Sequence, residues 1–125
     1  MNKSNFTIID NDFAKKGWQV FTKMQMAVLI NLAAYTWTSV NTELKTRKSK
    51  QAFGIEATDI SWPSQIQMAI DIGTSRQTVC NTVKQLVNKG VLETKRQFNY
   101  TNIYKIHWQV VKEIMKEMVA TDDTV

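Results

Sequence analysis

Between Met24 and Trp37 apolar residues fall around almost the whole circumference of a helix: Met24, Met26, Val28, Leu29, Ile30, Leu32, Tyr35 and Trp37. A helix apolar on every side belongs in the middle of a core. Thr22 to Gln25 has the Ser/Thr-x-x-Glu/Gln form of a capping box, so the pattern predicts a central helix from Lys23 to about Ser39. A narrower stripe follows near the end of the chain. Val110, Val111, Ile114, Met115, Met118 and Val119 mark an amphipathic helix over 108–120, whose apolar side serves as core or as a dimer seam. Short β-like runs lie at Phe6 to Ile9, Ala52 to Ile60, Val91 to Leu92 and Ile103 to Ile106, the last two as a hairpin. Residues 1–5 and 121–125 read as loose ends, and Asp10 to Gly17 as a loop or short turn.

The segment from Trp62 to Gly90 has a different pattern. Pro63 stands at the expected start of a helix, where its missing N–H costs little. Gly73 marks a turn needing a left-handed backbone, and Ser75 is placed to cap a second helix. With Gln65 as the first position, small Ala69 is fifth, where two helices would cross closely; Gly73 is ninth, and Val79, fifteenth, seats the second helix on the first. Val79, Val83, Leu86 and Val87 share a stripe roughly 100° wide that suits a core. The opposite side carries Gln77, Thr78, Asn81, Lys84, Gln85 and Asn88, and Gly90 ends the helix. This is the layout of a helix-turn-helix, whose second helix enters the DNA major groove. A merely solvated polar face, or a surface for protein contacts, is the plainer alternative. The absence of any acidic residue from Thr74 to Gly90 favours a polyanion.

Composition and charge sharpen this reading. The chain has 125 residues, 43% of them apolar, which fits one domain spanning 1–125 with a real core. No apolar run is long enough to cross a membrane and no basic-then-apolar leader opens the chain, so a cytoplasmic protein without membrane partners is expected. The net charge is +5, and Arg76 to Lys105 holds six basic residues against the single acid Glu93, enough to account for all of it. A second basic segment, Asn41 to Gln51, carries Lys45, Arg47, Lys48 and Lys50 with Glu43; it reads as a solvated loop or as an arm making a second DNA contact. One cysteine, Cys80, and one histidine, His107, leave no disulfide or multi-cysteine metal site, and a small thiol in a helix is usually packing. No metal, no cofactor and no enzymatic activity are expected.

The expected roles follow from side-chain chemistry. Arg76, Gln77, Thr78 and Asn81 would read bases, because Asn and Gln pair with adenine edges and Arg or Lys with guanine. Ser75, Lys84, Lys95 and Arg96 would hold phosphates. Asn99 and Tyr100, at the hairpin tip, would reach the minor groove.

Trp62-Pro63-Ser64, Gly73-Thr74-Ser75-Arg76-Gln77-Thr78-Val79, Leu86, Gly90-Val91-Leu92 and Asn102-Ile103-Tyr104-Lys105-Ile106 together resemble a winged helix-turn-helix. The pattern is similar to GntR-type regulators and closer to small DNA-binding proteins of Gram-positive plasmids and phages. The resemblance covers about 60–107 and implies an α+β, mainly α fold that binds double-stranded DNA without a cofactor.

A fainter match lies within the chain. Thr22 to Val28 resembles Ser64 to Ile70 at an offset of 42 residues, which sets Asn31 on Gly73 and Thr36 on Thr78. Two halves, 20–60 and 62–107, would then form an internal pseudo-dimer with a second, degenerate helix-turn-helix. That arrangement resembles TraN-like DNA-binding proteins of Gram-positive conjugative transfer (type IV secretion) systems. The expected function is sequence-specific DNA binding near a transfer origin or promoter, as relaxosome accessory or transcriptional repressor. The alternatives are a replication-initiation module of a plasmid or phage, and a winged-helix adaptor that binds a transfer or replication protein through its last helix and Trp108. Either a monomer with internal pseudo-symmetry or a homodimer is expected.

Overall fold

The computed structural model describes residues 10–38, 42–57, 59–96 and 102–123. Its centre is α2 (Lys23–Thr38). The capping box closes as expected: the Thr22 N–H donates to Gln25 Oε1 at 3.0 Å and the Gln25 N–H to Thr22 Oγ1 at 3.1 Å. Met26, Val28, Leu29 and Leu32 are wholly buried. Helix α2 packs against α1 (Asn11–Val20), β1 (Ile60–Ser61), α4 (Gln65–Ile72), α5 (Arg76–Asn88) and β3 (Asn102–Ile106). The remaining elements are α3 (Thr42–Phe53), β2 (Leu92–Arg96) and α6 (Trp108–Asp123). Among the described residues the fold is therefore six helices and one three-stranded antiparallel sheet, an α+β and mainly α architecture.

Two segments differ from the sequence expectation. Residues 10–17 are no loop: the Asp10 carboxylate accepts the N–H groups of Asp12 (2.9 Å) and Phe13 (3.2 Å) and starts α1. Gly17 does not break that helix. A Cβ there would lie 2.9 Å from Met26 Sδ and 3.1 Å from Phe13 Cδ1, so glycine serves the close approach of α1 to α2. Residues 42–53 are likewise a helix rather than a mobile arm, and the expected strand from Ala52 shrinks to Ile60–Ser61. The Phe6 to Ile9 run lies outside the described residues.

The internal repeat is also corrected. Asn31 lies inside uninterrupted α2, between Ile30 and buried Leu32, instead of at a turn. Burial of a helix apolar on all sides outweighs the turn preference of one asparagine. Among the described residues the N-terminal half is thus helical, with no turn at Asn31 to match Gly73.

The strand order is β1-β3-β2. Leu92 pairs with Ile106, Thr94 with Tyr104 and Arg96 with Asn102, so these six share one face. Leu92, Tyr104 and Ile106 join the main core there, while Ile60 and Ile103 are buried on the other face. Helix α3 packs against both outer strands. The described part of the α6 stripe is core: Val111 and Met115 are buried, Val110 and Ile114 pack against them, and α1 lies on the helix, while the Met118 and Val119 side chains lie outside the described residues. Trp108 is half-buried, with Phe13 edge-on at 5.2 Å between ring centroids.

Two side chains of α2, Asn31 and Tyr35, fasten it to α4 through Asp71, which also bonds Gln67 within α4. Its carboxylate accepts from Tyr35 Oη at 2.5 Å, Gln67 Nε2 at 2.9 Å and Asn31 Nδ2 at 3.2 Å. An acid at a helix C-terminus opposes the macrodipole, so Asp71 has to be offset by these bonds. The Tyr35 hydrogen bond chiefly holds the Asp71 carboxyl below its ordinary value, and burial together with Asp71 pushes the Tyr35 hydroxyl up to about 12. A lowered carboxyl contributes stability above its unfolded value of about 3.8 and loses it as pH falls through the folded value. Asp71→Ala should therefore cost about 1 kcal/mol at pH 7. The gap to the wild type should close below pH 4 in thermal unfolding; a gap independent of pH would contradict the linkage.

Candidate nucleic-acid interface

Helices α4 and α5 are joined by the turn Gly73–Ser75. Ser64 caps α4 by accepting the Gln67 N–H at 3.0 Å, so Pro63 precedes the cap, buried, rather than occupying the first helical turn. Gly73 is left-handed at φ 82°, and the N–H groups of Gly73 and Thr74 both donate to the Ala69 carbonyl. Ser75 caps α5 through the Thr78 N–H at 3.1 Å, and its Oγ lies 2.8 Å from Thr78 Oγ1. Both hydroxyls expected to meet DNA are thus engaged in building the turn.

The buried side of α5 is Val79, Thr82, Val83 and Leu86. Thr82 takes the place expected for Val87, which is 39% exposed; the Thr82 hydroxyl is satisfied by donating to the Thr78 carbonyl at 2.7 Å. Gln77, Asn81, Lys84 and Asn88 are exposed and fall within about 60° of one another around the helix. Gln77 Nε2 donates to Asn81 Oδ1 at 3.0 Å. The pair is oriented by this bond, and Gln77 Oε1 and Asn81 Nδ2 remain for other partners. Gln85 leaves the expected face in part: it accepts from Gln25 Nε2 at 3.0 Å and ties α5 to α2.

The hairpin divides its expected phosphate ligands. Arg96 shares the Tyr104 face, while Lys95 shares the other with Glu93, Ile103 and Lys105. Arg76, Arg96, Asn102, Tyr104, Ser64, Gln65 and Ile66 line one open cleft of about 330 Å³. Gln65, Asn102 and Tyr104 were not picked out from sequence. The signal for two of them was present, since Arg96, Asn102 and Tyr104 occupy one face once the hairpin register is set. Asn99 and Tyr100 lie outside the described residues.

The second basic segment is a poor candidate for DNA contact. Lys45 is buried and donates to the Thr36 carbonyl; burial pushes its ammonium below the ordinary lysine value, and the Asp59 carboxylate opposes that. Lys48 stands 5.1 Å over the Trp62 ring. Arg47 and Lys50 line an open hollow with Glu43 and Glu56, and Lys50 lies 3.9 Å from Glu56. Lys105 is also neutralised, with both Asp59 oxygens at 2.9 Å. Among the described residues Arg76, Lys84, Lys89, Lys95 and Arg96 form no ion pair.

His107 bonds Glu93 at 2.9 Å, and no cluster of metal-ligating side chains occurs among the described residues. No helix there is long and apolar enough to cross a membrane. Comparison with protein-family models, curated proteins and solved structures found no match.

The left-handed turn sets the angle between α4 and α5. A Cβ at Gly73 would meet nothing within 4 Å, so Gly73→Ala tests backbone conformation alone. It should cost roughly 1–2 kcal/mol in urea unfolding, and a neutral result would show that the turn relaxes freely.

Proposed function

We propose that the protein binds double-stranded DNA as a winged helix-turn-helix, with α5 in the major groove and the β2–β3 hairpin as the wing. One observation carries this reading. The outward stripe of α5 combines a linked Gln77–Asn81 amide pair with Lys84 and Asn88 and contains no acid, and Arg76 in the same helix lines a cleft with Arg96. Amides at base edges with guanidinium groups beside them suit a duplex, where base contacts specify and backbone contacts position. The opposite side of α5 is core, so the stripe is held on a fixed helix.

The process we propose is DNA binding for a mobile element, near a transfer origin or promoter; the resemblance of residues 60–107 to small DNA-binding proteins of Gram-positive plasmids and phages supports the mobile element, and the transfer role no longer has the internal repeat behind it. The adaptor reading drew on the last helix and on exposed aromatics such as Trp108; Trp108 is half-buried, with Phe13 edge-on to it. With one reading head per chain, a symmetric site requires two chains on half-sites about 34 Å apart or a multiple.

Fluorescence anisotropy on a duplex selected by the protein from a random pool tests the proposal. With about six phosphates neutralised, log K against log salt should have a slope near −5. A slope near zero contradicts it. Asn81→Ala should cost about 1–3 kcal/mol on the selected duplex and little on an unrelated one. Equal losses on both would remove Asn81 from base reading.

A further inference from the structure

Arg76 does not share the stripe of Gln77. It is rotated from it by about 100°, onto the side of α5 that carries Cys80 and buried Val83. That side turns to the hairpin: α5 packs against β2, and Arg76 shares a cleft lining with Tyr104. Arg96 comes to the same place from the other direction, since its pairing with Asn102 puts it on the Tyr104 face. The two guanidinium groups therefore line one cleft, with no acidic residue among its lining side chains. Neither has an ion pair or hydrogen-bond partner among the described residues. The Tyr104 side chain, 1% exposed, lies at the floor, with Gln65 and Asn102 beside it in the lining.

Two like charges facing one cleft repel each other unless an anion lies between them, and guanidinium groups match the oxygens of a phosphate. We infer that Arg76 and Arg96 together clamp a single backbone phosphodiester of the bound duplex in this cleft, so that Arg76 is a backbone contact and not a base reader. This rests on the reading of α5 as the DNA-contacting helix. The clamp fixes how deeply the start of α5 enters the groove and leaves base discrimination to Gln77, Asn81 and Lys84. It also joins helix and wing through one ligand, so both must be in place for full affinity.

The test uses the duplex selected from a random pool, with single phosphates replaced in turn by neutral methylphosphonate. One replacement should weaken wild-type binding roughly tenfold. The same replacement should cost Arg76→Gln or Arg96→Gln almost nothing further. The double variant should lose clearly less than the product of the two single losses, and base-pair changes should weaken wild type and Arg76→Gln by equal factors. The inference is overturned if Arg76→Gln relaxes the preference at one base pair, or if the two losses multiply and map to different phosphates. A wild-type protein that ignores every duplex at low salt would instead remove the DNA-binding reading, and the clamp with it.

Discussion

Burial of one broad face of α2, formed by Gln25, Met26, Val28, Leu29, Leu32 and Ala33, is the constraint on which the rest of the molecule depends. Its apolar residues meet α1, α4, α5 and the sheet, so the candidate reading helix rests on a platform rather than standing out from a loop. Polar bonds set the alignment that apolar contact leaves loose. Gln25 holds Gln85 on α5, while Asn31 and Tyr35 hold Asp71 on α4. Hydrophobic burial is non-directional; these few bonds specify where along α2 the two helices sit. Ala69, buried at the packed side of α4, provides the small side chain that a close crossing requires.

What was legible in the sequence followed from local chemistry. Gly73 and Ser75 mark the turn because left-handed backbone and a cap require those residue types, and the structure uses both in those roles. The capping box at Thr22 was legible for the same reason. Helix α1 was missed because Gly17 reads as a breaker when its partner Met26 is not in view. Helix α3 was missed because two of its buried residues, Lys45 and Ser49, are polar. Their spacing of one helical turn signals a face, but a hydrophobicity pattern does not register it. The buried ammonium is satisfied by the end of α2, and Ser49 donates to the Ile55 carbonyl at 2.7 Å. The apparent repeat failed because a turn depends on what surrounds it: Asn31 is flanked by residues that gain more from a continuous helix.

The candidate site was legible as a helix face but not as an assembly. Counting charges along the chain treats Lys45, Lys95, Arg96 and Lys105 alike, although they do four different things. Lys45 is internal, Lys105 is paired with Asp59, Lys95 faces away from α5, and Arg96 turns toward Arg76. Strand register decides the last two, since neighbouring residues on a strand point to opposite faces. Two arginines, Arg76 and Arg96, are thereby brought together where the first turn of α5 meets the hairpin. Positive charge placed next to a hydrogen-bonding stripe provides attraction and discrimination from one surface.

The central claim is that α5 and the hairpin, rather than the α1–α6 side, meet DNA. Backbone amide shifts of the isotope-labelled protein, recorded as duplex DNA is added, test it most directly. The account predicts changes concentrated at Arg76 to Lys84, at Arg96 and at Asn102 to Tyr104, with α1 and α6 little affected. Changes centred on α1, α6 or α3, with the outward stripe of α5 unmoved, would contradict it.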